Sequence, residues 1–283
     1  DVLLQTYSIA PAPTTTMWQN VPDMRIENTG VEIGLDADII ATKDWNWNFG
    51  VNFTTNHNEV KRLPMSYITV GSGSGPGLDG FRLQRIMSGH AIGTFWGYHF
   101  LGFDENGISQ YETDANGNRV EKVIGCAQPD FLLNFNTTLR WKNLELSLQF
   151  NGVFGNDIYN NLDNCINTLA IFDSGYNITT GARSLKESTE DNLDYSDRYI
   201  EDGSYLRLTS ATLRYTVPIK PNNWVKGVQL SLTGNNLFCI TGYNGYDPEV
   251  DSRRVTDGIP AVGIGWTNYP MARSWSLGAT INF

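Results

Sequence analysis

A chain of 283 residues with 40% hydrophobic and 12% aromatic content is long enough for one large all-β domain or two ordinary domains. Its net charge of −10 argues against nucleic acid as a partner, because nucleic-acid binders present basic surfaces. No apolar run approaches the roughly 18–20 residues of a membrane helix, but a membrane strand needs only about 9–11 alternating residues, so a mean hydropathy of −0.30 does not exclude a barrel.

The opening DVLLQTYSI (1–9) reads as a strand with no signal peptide before it, so the chain is expected to begin inside a larger structure. In NTGVEIGLDADI (28–39), Val31, Ile33, Leu35, Ala37 and Ile39 alternate with Gly30, Glu32, Gly34, Asp36 and Asp38. A period of two gives an extended strand with one apolar and one polar face. The short ATKD (41–44) leads into WNWNFGVNFTTN (45–56), where Trp45, Trp47, Phe49, Val51 and Phe53 alternate with Asn46, Asn48, Gly50, Asn52 and Thr54, which makes a hairpin. IGTFWGYHFLGF (92–103), a turn at DENG (104–107) and ISQYET (108–113) are expected to supply two further spans.

DFLLNFNTTLRW (130–141) and LELSLQFNGVF (144–154) form the next hairpin, separated by Lys142–Asn143. A less regular one follows: SYLRLTSATLRYTV (204–217), a turn through PIKPNNWVKG and VQLSLTGNNLF (228–238). The last strand sets Trp275, Leu277, Ala279, Ile281 and Phe283 against Ser274, Ser276, Gly278, Thr280 and Asn282. Three connections are short, and three (roughly 57–89, 155–203 and 239–268) are long and rich in Gly, Asn, Asp and Ser. Compact soluble domains seldom carry several long loops, whereas outer-membrane barrels place short turns on the periplasmic side and long loops outside. Counting directions back from the C-terminus puts every short turn on one side and every long loop on the other, for about ten antiparallel strands.

Alternation alone leaves lipid and a soluble core both open, since a β-sandwich or propeller also buries one strand face. Lipid is favoured by the small polar wet rows and by aromatics at the strand ends: Trp45, Trp47, Trp141 and Trp224 beside the short turns, Trp266 and Tyr269 at the other edge. Inward rows as small as Asn46, Asn48, Gly50, Asn52 and Thr54 do not fill a narrow barrel, so a wide one holding water or a plug is expected. Lipid does not tolerate unpaired strand edges, so the chain is expected to belong to a longer polypeptide or assembly.

Glu32, Asp36, Asp38 and Glu145 are lumen-facing candidates for contact with a plug or a passing solute, weighed against a merely hydrated wall. Tyr176, Tyr243, Tyr246 and Trp266 are loop aromatics suited to stacking on cargo or packing against a lid. Trp275, Leu277, Ile281 and Phe283 form the membrane face of the closing strand. Cys126, Cys165 and Cys239 match no metal spacing, and their odd number indicates no disulfide framework. Asp114, Asn116 and Asn118 begin like a calcium loop, but Arg119 stands where glycine is needed and Gly125 where an acid is needed, which favours a turn over calcium; no other cofactor is expected. GSGSGPG (71–77) has no helix after it and reads as a mobile loop tip rather than a phosphate cradle. His57, His90 and His99 belong to no catalytic motif, and pairs such as His57 with Glu59 or Asp194 with Asp197 read as solvated groups, so no residue is expected to be catalytic.

Eight stretches in order resemble the SusC/RagA type of TonB-dependent outer-membrane transporters. They are DVLLQ (1–5) with NTGVEIGL (28–35), IGTFWGYHFLGF (92–103), IGCAQPDFLLNF (124–135), GVFGNDIYN (152–160), SDRYIEDGSYLRLTSATLRYTVP (196–218), GNNLFCITGYNGYDPEV (234–250) and the terminal YPMARSWSLGATINF. The resemblance implies a barrel of about 22 strands with an N-terminal plug. It also implies energy from TonB, a SusD-like surface lipoprotein as lid, and import of oligosaccharides or peptides. Residues 1–283 would then be the C-terminal part of the barrel, with the plug and N-terminal strands outside this chain. DANGN (114–118) departs from the family's acidic loop, Cys126 stands where Asn is usual, and 161–195 lacks the usual Arg-Trp and Pro landmarks. Two other readings stay open: a self-contained ten-strand outer-membrane hydrolase and a soluble glycan-binding adhesin.

Overall fold

The computed structural model describes residues 2–8, 11, 13–21, 23–78, 80–220, 224–250, 254–256 and 259–283. Seven strands form one continuous antiparallel sheet: β1 (Arg25–Ala41), β2 (Trp45–Arg62), β3 (Phe131–Trp141), β4 (Leu144–Phe154), β5 (Tyr205–Val217), β6 (Gly227–Thr241) and β7 (Ser274–Asn282). Each pairs with its sequence neighbours, so β1 and β7 are the two edges and the sheet does not close upon itself. That arrangement excludes the self-contained ten-strand barrel.

The register shows why alternation was so regular. Trp45, Trp141, Leu144, Tyr215, Leu230 and Ala279 lie side by side in one row. The next row on the same face holds Trp47, Leu139, Leu146, Leu213, Leu232 and Leu277. Cross-strand ring pairs bind this face, with Phe135 and Phe150 stacked at 4.4 Å and Trp45 and Trp141 at 5.7 Å. Its large side chains are nevertheless open: Leu35 is 58% exposed, Leu230 47% and Leu277 88%. Among the described residues no second protein layer covers the face. An apolar patch running across seven strands is far larger than a soluble monomer leaves in water, and lipid is the solvent that satisfies it.

Two expected spans are not in the wall. β2 pairs directly with β3, from Trp45 opposite Trp141 to Thr54 opposite Leu132, and this leaves no place for strands between them. Thr94–Tyr98 instead joins a four-stranded sheet with Glu121–Cys126, Arg82–Ile86 and Ile68–Ser72, and Phe100–Phe103 pairs with Ser109–Tyr111. These strands have three to six residues, too few to cross lipid, and Thr94, Phe95 and Gly97 are buried on both faces of theirs. Val2–Tyr7 pairs with Thr16–Val21 as a separate hairpin, while positions 1 and 9 of the expected first strand lie outside the described residues. Among the described residues the wall therefore has seven strands where about ten were expected, and the short turns still share one end.

The long connections are folded, not structureless. Their buried core joins Leu83 and Phe95 of the segment between β2 and β3, Tyr159 and Tyr199 of that between β4 and β5, and Ala261 and Ile264 of that between β6 and β7. A three-stranded sheet ties the last two: Asp157–Asn160 pairs with Ile200–Asp202 and, in parallel, with Ile264–Gly265. The glycine stretch 71–77 is wedged into this crown and is not a free tip. Gly75 has φ +107°, and a Cβ there would lie 2.5 Å from Cys165 Sγ and 3.1 Å from Trp266. Asn161, fully buried, accepts from the Ser74 N–H at 2.9 Å and donates to the Ser74 carbonyl at 2.8 Å. The molecule thus keeps its protein core in the crown and leaves the large apolar side chains of the wall facing outward.

Candidate functional site

Opposite the apolar face, the same register assembles rows of polar side chains. Near the short turns lie Asn46, Arg140, Glu145, Arg214 and Ser231. A hydroxyl row follows, with Thr138, Ser147, Thr212, Thr233 and Ser276. Above it come Asn136, Gln149, Ser210, Asn235 and Ser274, then Asn52, Asn134, Asn151 and Arg207. Neighbours bond across strands: Thr138 and Ser147 hydroxyls at 3.1 Å, Thr212 and Thr233 at 3.0 Å, and Asn151 donating to Asn134 at 2.7 Å. Each amide still offers further donors and acceptors to whatever fills the interior. A recess of about 410 Å³ opens between Asn134, Asn136, Gln149, Asn151, Arg207 and Glu249.

All four lumen-facing acids lie on this face. Glu145 forms an ion pair with Arg214, and Asp38 accepts from the Asn48 amide at 3.3 Å. Asp36 leans over Gly50, where a Cβ would lie 2.5 Å from its carboxylate oxygen, and exposed Glu32 sits opposite Thr54. The acids are spread over the wall and do not converge on one point.

What converges is a set of residues not among those candidates. Buried Arg207 donates to Asp247 and, at 2.6 Å, to the Asn236 side-chain oxygen. Asp247 also accepts the N–H of Glu249 at 2.9 Å, and Asn236 donates to the Met271 carbonyl at 2.6 Å. This staple draws both arms of the third connection down onto the wall. It depends on two bulges, at Thr209 in β5 and at Asn236–Leu237 in β6, where Asn236 takes φ 53°. The Thr209 bulge reverses the side-chain parity of β5 and turns Arg207 inward, opposite Asn151. The signal available in the sequence was the loss of alternation at SYLRLTS, together with a cation on what would otherwise be the lipid face.

The loop aromatics divide. Tyr176 and Tyr246 are 50% and 64% exposed, open to a ligand or lid. Tyr243 is only 8% exposed; burial pushes its phenol well above its ordinary pKa, and it packs beside Gly245 and Gly265 as part of the crown. Trp266 is half-buried against Gly75, so it belongs to the crown and not to an aromatic belt; Tyr269 at that edge is 91% exposed. On the closing strand Trp275, Leu277, Ile281 and Phe283 point outward, 66%, 88%, 48% and 75% exposed.

In the crown, Asp114 takes the backbone N–H groups of Asn116 and Asn118 at 2.8 and 2.9 Å, the geometry of a turn, and these bonds hold its carboxyl below the usual range. His57 lies 3.7 Å from Glu59 on the projecting part of β2. Asp194 pairs with Arg119, while Asp197 pairs with His99 and accepts the Phe100 N–H at 2.8 Å. These two acids therefore serve different partners.

No family model matches the chain. TonB-dependent receptor P3 of Formosa agariphila is 28% identical over 94% of this chain and 29% of its own length. TonB-dependent receptor SusC of Bacteroides thetaiotaomicron is 30% identical over 94% of this chain and 27% of its own. The structure of the RagAB peptide transporter superposes with a TM-score of 0.73 at 21% identity, over 99% of this chain and 32% of that one. The RagAB peptide importer in its closed-closed state gives 0.75 at 20% identity, over 100% and 32%. At those identities the structural likeness is one of fold. The chain spans about three tenths of the length of the curated relatives it matches.

Proposed function

We propose that this chain, part of a SusC/RagA-type TonB-dependent receptor barrel of the bacterial outer membrane, forms one side of the path by which oligosaccharides or peptides are actively imported. The observation that carries the proposal is the two-faced wall: in-register amide and hydroxyl rows on one side, a predominantly apolar face on the other. The relatives are receptors and transporters, which supports import as the general activity.

The wall's contribution follows from its chemistry. Amides and hydroxyls exchange hydrogen bonds with a hydrated solute for about 0.5–1.5 kcal/mol each, enough to replace lost water contacts without trapping the solute. Oligosaccharide hydroxyls and peptide groups are both served by donors and acceptors of this kind. In this reading a SusD-like lipoprotein covers the long-loop end, TonB acts on a plug carried outside this chain, and no residue here does chemistry.

The test is uptake by cells producing the whole receptor, with labelled oligosaccharides in one arm and labelled oligopeptides in the other, each with and without TonB. Accumulation of one class that stops without TonB, and a surface lipoprotein that co-purifies, is the expected result. Uptake of neither class, or uptake indifferent to TonB, would overturn the proposal.

A further inference from the structure

Four of the chain's seven lysines stand in the three short turns: Lys43, Lys142, Lys220 and Lys226. Those turns contain a single acid, Asp44, in a chain whose net charge is −10. All four lysines are exposed; Lys226 Nζ donates one hydrogen bond to the Phe283 main-chain oxygen at 3.0 Å and keeps two further N–H groups, and Lys142 lies 5.7 Å from the Trp141 ring, beside the Trp45–Trp141 stack. The end of the wall without the crown is therefore a cationic rim lined by tryptophans.

Directly above this rim the outward face is grooved. A depression of about 470 Å³ lies between Leu213, Tyr215, Leu230, Leu232, Leu277 and Ala279, and the small Ala279 beside Leu230 opens its lower end. Lys226 is four residues from Leu230 along β6, about 13 Å at roughly 3.3 Å per residue. Lys220 stands just beyond Val217, at the foot of β5. A cationic rim at one end of an apolar groove, on a face that lies in lipid, matches a single amphiphile with an anionic head.

We propose that the β5–β6–β7 face holds an anionic glycerophospholipid of the leaflet on the short-turn side, its phosphate between Lys220 and Lys226 and one acyl chain in the groove above. A lysine near an anionic lipid surface strengthens binding about fivefold, so the two together give roughly 25-fold. The groove adds selectivity for a molecule with a chain attached, which a free phosphate lacks.

The test uses the whole receptor in nanodiscs that mix phosphatidylglycerol with phosphatidylcholine, and reads retained lipids by native mass spectrometry. The expected result is preferential retention of phosphatidylglycerol, a loss of that preference of roughly 25-fold in Lys220→Gln/Lys226→Gln, and loss of one bound lipid in Ala279→Phe, which fills the groove without changing charge. Inorganic phosphate at millimolar concentration should not displace the lipid. Equal retention of both lipids, a preference unchanged in the double variant, or full displacement by inorganic phosphate would each overturn the proposal. Heat-modifiable migration of each variant on gels checks that the barrel is intact.

Discussion

Leu148 and Gln149 are adjacent residues of β4, and the two-faced wall predicts opposite fates for them when each becomes arginine. Leu148 lies between Thr137 and Ala211 on the outward face, and Gln149 between Asn136 and Ser210 on the inward face. From the Trp141–Leu144 belt to Leu148 is four residues, about 13 Å along the strand and about 10 Å in depth at a tilt near 40°. That places Leu148 close to the middle of an apolar band about 25 Å tall, where an arginine costs about 2–4 kcal/mol. The penalty corresponds to roughly a 30- to 700-fold loss in the folding equilibrium. Gln149→Arg meets water and the recess, and should cost less than about 1 kcal/mol. The assay is denaturant unfolding of the whole receptor from lipid vesicles, with heat-modifiable gel migration as a check on insertion. Equal damage from both substitutions, or greater damage at Gln149, would refute the facing assignment and everything built on it.

Asp247→Ala should leave the Arg207 guanidinium buried without its carboxylate, a loss of about 3–5 kcal/mol, seen as faster hydrogen exchange in 242–250 and 269–273 while β4 stays protected. Arg207→Met with Asp247→Leu should recover much of that protection, and an Asp247→Ala protein with unchanged exchange would dismiss the staple. Gly97→Ala places a Cβ 2.7 Å from the Tyr195 carbonyl oxygen, so it should destabilise the crown by about 1–3 kcal/mol, read as earlier loss of near-ultraviolet dichroism with an intact wall. Burial, acting against the hydrogen bond from the Cys126 N–H, pushes the Asp157 carboxyl above its ordinary value of 3.8. A raised acid binds its proton more readily folded than unfolded, so its ionisation lowers stability as pH rises from about 3.8 through the folded value. Asp157→Asn should therefore raise the melting temperature at pH 7 and give no gain near pH 3; a gain of the same size at both values would contradict the burial argument.

Much of the wall was legible because side-chain direction along a strand is local geometry. Successive residues point to opposite faces whatever the strand packs against, so Trp275, Leu277 and Phe283 could be placed on one face of the sheet, and Glu32, Asp36, Asp38 and Glu145 on the other, from spacing alone. Turn lengths likewise told the two ends apart. Alternation does not say what a stretch pairs with, and there the reading of 92–103 failed. Its Phe95 packs a crown core with Tyr159 and Ile264, partners far away in sequence. Arg207 was hidden for a related reason: strict parity over 205–217 sends it to the lipid face, and only the bulge at Thr209, set by pairing to β4 and β6, turns it inward to Asp247.

The sequence by itself determined which side chains share a face of the wall, because that depends on a two-residue repeat of the backbone. The tertiary structure decided the seven-strand wall, its register and bulges, and the packing of three distant connections into one crown, because those depend on contacts between segments that no local repeat encodes.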